Sequence, residues 1–227
     1  MMQGMQRRPP SIKAFIQARM SSKRLPGKVM LPLHGELVIS RVLTQVEKAV
    51  PKQDIVVATS TDQSDDSLVS YLLDRNTNVF RGPLDNVFAR FQNCLKEYPC
   101  DWFFRVCADS PLLNPAVLTY FLHLVDTTEA DIITTLFPRS FPAGQSVELV
   151  RARTFRTLMT DKLSAEEQEH LTKAYYANPH RFRIKNVSSG NASLAEINYC
   201  VDTAEDMARL EQFLAGGAVF PDVAFKS

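Results

Sequence analysis

No aspartate or glutamate occurs before Glu36. That stretch nevertheless carries Arg7, Arg8, Lys13, Arg19, Lys23, Arg24 and Lys28. Of 26 basic residues seven lie here, which leaves 19 against all 25 acidic ones in the remaining chain. The formal net charge of +1 thus hides a positive head on a negative body. A total so close to zero argues against a nucleic-acid coat protein or a polybasic membrane binder. Residues 18–35 contain no aromatic side chain, so the stacking platform of a nucleic-acid binder is also missing. No apolar run approaches the ~18 residues of a membrane span. The opening segment MMQGMQRRPPS lacks the apolar core of a signal peptide. Cysteine is scarce: positions 94, 100, 107 and 200 show neither CxxC nor zinc-ligand spacing, which predicts free thiols in a reducing cytoplasm. There is no GxGxxG, so a dinucleotide fold lacks its fingerprint.

What is present is ordinary soluble-protein material, 45% hydrophobic and 22% charged in 227 residues. The length allows one large domain or two small ones. No repeat or interdomain linker divides it. The expected organisation is a tail over 1–11, a single α/β domain over 12–217 and a C-terminal tail over 218–227. Apolar runs predict strands at 12–17, 54–59, 78–81, 101–106 and 131–136, with helices between them at 36–50, 64–75, 85–98 and 115–126. Leu68, Leu72 and Leu73 are expected to face inward, and Asp85 to cap the third helix. Such alternation means a mostly parallel sheet covered on both faces. Beyond 136 the rhythm loosens: a Pro/Gly loop to 145, strands at 147–150, 182–187 and 197–201, and helices at 153–159, 165–177 and 203–214. Ser164 and Glu167 suggest a capping box for the second of these helices. In parallel sheets ligands bind beyond the carboxyl ends of the strands.

The densest chemistry falls directly after the first strand, in Gln17-Ala-Arg-Met-Ser-Ser-Lys-Arg-Leu-Pro-Gly-Lys28. Four cations with Ser21, Ser22 and Gly27 suit a polyanion, since backbone N–H groups and hydroxyls cradle phosphate oxygens while Lys and Arg neutralise them. It is not a Walker A loop, because Ser22 and Val29 stand where that pattern needs Gly and Ser/Thr. Taken alone, the run also fits a solvated surface loop. Asp109 and Asp202 each end a predicted strand and precede a helix. Two carboxylates there would suit a magnesium ion, whose other ligands come from phosphates and water. Each fits a helix N-cap equally well. Glu205 and Asp206 read as charges complementing a helix dipole.

The segment Ile16–Lys28 resembles the signature of the sugar cytidylyltransferases, the enzymes that activate 3-deoxy-octulosonate and neuraminate with CMP. The spore-coat polysaccharide type is the most similar. The likeness continues through Val56–Ser60, Val79–Gly82, Arg105–Leu112 and Tyr199–Asp206. It implies a Rossmann-like three-layer fold of the nucleotide-diphospho-sugar transferase type. It also implies transfer of CMP from CTP to a sugar acceptor, with release of pyrophosphate. By the same resemblance Asp109 and Asp202 are the magnesium ligands. Gln17, Ala18, Arg19, Ser21, Ser22, Arg24, Lys28, Thr59 and Ser60 contact the nucleotide, Arg24 and Lys28 stabilising the leaving pyrophosphate. Thr59, Ser60 and Asp62 also fit a plain polar turn. Arg81, Glu148, Glu169 and His170 are the expected acceptor contacts, His170 as a general base or a structural residue. Asp85 and Arg90 fit a mutual pair. Homodimerisation is one further expectation, with no nucleic-acid or membrane partner.

Two departures stand out. Ala108 replaces the glycine usual before the metal aspartate, and the loop Phe141–Glu148 lacks two family aspartates, at Ala143 and Ser146. The second puts the acceptor in doubt. Other readings are a sugar-1-phosphate nucleotidyltransferase using another nucleotide, or a non-catalytic nucleotide-sugar-binding homologue.

Overall fold

A computed structural model describes residues 8–221 and 223–226; most of the expected N-terminal tail, including Arg7, and positions 222 and 227 of the C-terminal one lie outside it. The first strand, β1 (Ile12–Gln17), runs through the centre of the molecule. A small hairpin follows, β2 (Pro32–Leu33) with β3 (Glu36–Leu37), and then α1 (Val38–Glu47). Val38, Ile39, Val42, Leu43 and Val46 recur at helical spacing and are all buried. β4 (Ile55–Ser60), α2 (Asp66–Asp74), β5 (Asn78–Gly82), α3 (Val87–Glu97), β6 (Trp102–Cys107) and α4 (Pro115–Leu124) continue the alternation. The second half adds β7 (Ile132–Thr134), β8 (Glu148–Arg151), α5 (Ala152–Thr157), α6 (Ala165–Glu169), α7 (Lys173–Ala177), β9 (Ile184–Asn186) and α8 (Ala204–Ala215).

Seven strands form one sheet in the order β5-β4-β1-β6-β8-β7-β9. All pairings are parallel except those of β8, which runs against both β6 and β7. Alternate residues of the central strands feed two cores. Ala14, Ile16 and Phe104 face α1 and α4 on one side. Phe15, Phe91, Phe103 and Phe155 build an aromatic cluster on the other, with Phe15 and Phe103 stacked at 5.1 Å. This is the three-layer, mostly parallel α/β architecture that the strand–helix alternation predicts. No helix among the described residues is long and apolar enough to cross a membrane.

Four expectations need correction. Leu73 is 58% exposed: Leu68 and Leu72 are four apart on the buried face, and the next residue turns about 100° away from it. Asn86, not Asp85, caps α3, its side chain accepting from the Ala89 N–H. The expected helix over 165–177 is two short helices, α6 and α7, because Leu171 turns inward to the aromatic core while Glu169 and His170 stay exposed; the capping box at Ser164 and Glu167 is present. Residues 197–201 are extended but form no ladder. Their only bridge pairs Asn198 with Ala143, and the Val201 N–H donates to Asp109 instead.

Candidate functional site

β1, β4 and β6 lie side by side and parallel, so their carboxyl ends open on one edge of the molecule. The loop after β1 crosses that edge. Gly27 sits at φ 71°, a left-handed conformation that glycine reaches without a Cβ clash. It starts the short 3-10 turn Lys28–Met30, which delivers the Lys28 side chain into the sheet end.

Lys28 Nζ donates to Asp109 Oδ2 and to Asp202 Oδ1, each at 2.8 Å. Arg24 Nη2 lies 2.9 Å from the other Asp202 oxygen. The two carboxylates come from distant parts of the chain. Asp109 follows β6; Asp202 is held beside it by the Val201 N–H···O=C Asp109 bond of 2.8 Å. A capping box then fixes Asp202 from below: Asp206 accepts from the backbone N–H groups of Asp202 and Thr203. Thr203 is the N-cap of α8 and Asn114 that of α4, so neither aspartate caps a helix. Burial disfavours the Lys28 charge, but Asp109 and Asp202 outweigh it and hold the ammonium's pKa above its ordinary value.

Around this triad lies a cavity of about 350 Å³, lined among others by Gln17, Arg19, Ser22, Lys23, Arg24, Lys28, Arg105, Cys107, Asp109, Glu169, His170 and Asp202. A second lobe of about 370 Å³ is lined by Arg19, Ser21, Lys23, Leu84, Asp85, Val87 and Glu169. Arg19, Lys23, Val87 and Glu169 belong to both, so the lobes adjoin. The basic segment therefore lines a cleft rather than an open surface. Arg19 lies 3.8 Å from Glu169 across the mouth.

Other expected residues sit behind the wall. Thr59 and Ser60 are buried, and both hydroxyls donate to Asp65 Oδ2, as does the Ser60 N–H. Asp65 Oδ1 accepts from the Met20 N–H at 2.7 Å. Thr59 and Ser60 thus hold the carboxylate that holds the loop. Ala18 is buried, its N–H aimed at Ala58 O. Arg81 binds Asp66 at 2.7 Å and the carbonyls of Ser60 and Asp62, so it braces the β4 turn and does not reach the cavity. Glu148 is 1% exposed. It accepts from Tyr176 at 2.5 Å and pairs with Arg105 at 3.3 Å, and Arg105, not Glu148, reaches the cleft. Arg90 is fully buried with no hydrogen-bond partner on any guanidinium nitrogen, so no pair with Asp85 forms.

Residue patterns missed Asp65, Arg105 and Cys107. Arg105 had a signal, a lone charge inside the apolar strand WFFRVC. Asp65 had none, being one of several acids in a polar turn. Burial pushes the Cys107 thiol up to about 11, so it is neutral near pH 7 and presents no thiolate to the cleft.

Asp65 yields a stability prediction. Its burial raises the carboxyl's pKa, but hydrogen bonds from Met20, Ser60 and Thr59 win and leave it below the ordinary range. A depressed folded pKa contributes stability above the unfolded value, about 4, and loses it as pH falls through the folded one. Asp65→Asn is expected to cost about 2 kcal/mol at neutral pH, because donors now face an amide. Urea unfolding at pH 7 and below pH 4 checks this: the gap between wild type and variant should shrink at the lower pH.

Fold and site together define a mostly parallel α/β protein with a basic loop opposite paired carboxylates at the strand ends. Sequence comparison makes this specific: the cytidylyltransferase family profile matches residues 14–218, and the chain belongs to that family. It is 26% identical over 216 residues to the spore coat polysaccharide biosynthesis protein SpsF of Bacillus subtilis, covering 92% of this chain and 89% of that one. It is 33% identical over 133 residues to a 3-deoxy-manno-octulosonate cytidylyltransferase of Paraburkholderia phytofirmans, covering 57% and 51% respectively. A cytidylyltransferase structure from Leptospira borgpetersenii shares the fold with a TM-score of 0.85 at 23% identity, covering 93% and 89%.

Proposed function

We propose that this protein transfers CMP from CTP to a hydroxyl of a sugar acid, releasing pyrophosphate, in the synthesis of a surface polysaccharide. The observation that carries the reading is the Lys28 ammonium held between Asp109 and Asp202 at the end of the basic loop. Two carboxylates converging on one cation offer the hard oxygen donors that magnesium takes, and no third acidic, His or Cys ligand joins them among the described residues. That leaves positions for phosphate oxygens and water. When bound, the ion would supply charge neutralisation at the reacting phosphate.

The protein's own part is to bind and orient. Arg24 and Lys28 hold the β- and γ-phosphates, and Ser21 and Ser22 offer hydroxyls along the loop. The acceptor lies on the Glu169–His170 side of the cleft. Its hydroxyl oxygen bonds to the α-phosphorus, the bond to the bridging oxygen of the β-phosphate breaks, and pyrophosphate leaves against Arg24 and Lys28. His170 takes the hydroxyl proton. Such a transfer asks for positioning and electrostatics rather than covalent catalysis. The four unpaired thiols fit the reducing cytoplasm.

A thermal-shift panel of CTP, UTP, GTP and ATP with magnesium tests the nucleotide. CTP at 100 times its Kd should add about 2.7 kcal/mol of stability and the others far less. Equal shifts from all four, or none from CTP, would contradict the reading.

A further inference from the structure

Arg90 is a fully buried cation with no hydrogen-bond partner. It lies on the first turns of α3 with 0% of its surface exposed. Nε, Nη1 and Nη2 all lack a hydrogen-bond partner. A buried guanidinium without partners is costly, and a native chain keeps one for a reason. Packing alone is a poor reason, since a methionine would fill the space without the charge.

Its surroundings indicate where it acts. A Cβ on Gly82 would come within 2.9 Å of the Arg90 Cγ, so only glycine there leaves room for the side chain. Asp65, the carboxylate that anchors the loop at Met20, and Arg19 are the charges that act on it. Burial, and then the repulsion from Arg19, lower its pKa to about 10, so it stays charged at neutral pH. Val87, one helical turn before it, lines both lobes of the cleft.

The cleft has two ends. Lys28, Arg24, Asp109 and Asp202 gather at the β6 end, and they account for phosphates. Arg19, Ser21, Leu84, Asp85 and Val87 line the other lobe, between the loop after β1 and the turn that joins β5 to α3. A nucleotide whose phosphates lie at the first end places its nucleoside toward the second. An arginine has donors only. The pyrimidine of CTP presents two adjacent acceptors, O2 and N3, whereas uracil carries a proton on N3.

We propose that Arg90 is a nucleobase-reading residue: its buried guanidinium, behind the Ser21–Val87 lobe, donates to the O2/N3 edge of cytosine and rejects uracil. This rests on the nucleotidyl-transfer reading above. Because Arg90 is covered in this structure, binding requires the loop at 19–23 or the turn at 83–86 to shift and admit the base edge.

The test measures binding of CTP, UTP, 3-deaza-CTP and inorganic tripolyphosphate, by calorimetry, to wild type and Arg90→Met. For wild type, CTP should bind about 10–100-fold tighter than UTP or 3-deaza-CTP, the value of hydrogen bonds to a charged group. Arg90→Met should keep its thermal midpoint, lose that preference and bind tripolyphosphate unchanged. A folded Arg90→Met that still prefers CTP overturns the proposal. If Arg90→Met does not fold, the wild-type comparison decides: equal binding of CTP and 3-deaza-CTP overturns it, because N3 is then unread. Failure of wild type to bind CTP at all would remove the proposed function and this inference together, whereas CTP binding with no base preference removes this inference alone.

Discussion

Asp109→Asn is expected to lower the rate of pyrophosphate release by at least about 10³-fold, some 4 kcal/mol of barrier. Among the described residues, Asp109 is one of two carboxylates that meet at Lys28. The asparagine keeps the shape and can still accept from Lys28, but it removes half of the negative charge that would hold a divalent cation. Nucleotide binding should respond in the opposite sense. Without magnesium, CTP is expected to bind Asp109→Asn as well as wild type or better, since one negative charge facing the phosphates is gone. Steady-state kinetics and metal-free calorimetry together separate this from general disruption, in which both would fall. A variant with wild-type turnover would remove Asp109 from the site.

Lys28→Met is the second large effect. The Lys28 side chain is 11% exposed, while those of Asp109 and Asp202 are 27% and 31%. Removing the cation leaves two facing carboxylates, of which Asp202 keeps the exposed Arg24 and Asp109 loses its partner. For a fully buried pair that costs about 3–5 kcal/mol; partial solvation of the acids reduces the expectation to about 2. Turnover should fall by about 10²–10³-fold as the leaving-group charge loses its partner. The stability loss is expected to reverse with millimolar magnesium, because a divalent ion can occupy the charge position that the ammonium held. Thermal melts with and without magnesium check this. A loss that magnesium does not touch would mean that the carboxylates do not form a cation site.

Much of the framework was legible because it is local. The IKAFIQ run is β1 at both boundaries, and the basic loop after it does line the cleft. The paired aspartates are more instructive. Each fits either a cap or a ligand in isolation, and the alternative is removed only by Thr203 and Asn114 taking the cap positions. Their meeting at Lys28 depends on the Val201–Asp109 backbone bond, which no pattern encodes. Glu148 and Arg81 show the converse. Both occur in segments that resemble binding motifs, yet Tyr176 and Arg105 sequester one, and Asp66 with the Ser60 carbonyl sequesters the other. The strand expected at 197–201 failed for a related reason. Its backbone groups bond separately to Ala143 and Asp109 and so build no ladder. Apolar alternation reports burial of side chains, not where the N–H groups go.

The most direct measurement incubates the wild-type protein with CTP, magnesium and a panel of ulosonic and other sugar acids, following phosphorus NMR. One acceptor is expected to yield a CMP-linked sugar and an equal amount of pyrophosphate, with neither formed by Asp109→Asn. Pyrophosphate formed equally well from another nucleoside triphosphate, or a CMP-sugar formed undiminished by Asp109→Asn, would contradict the proposed transfer.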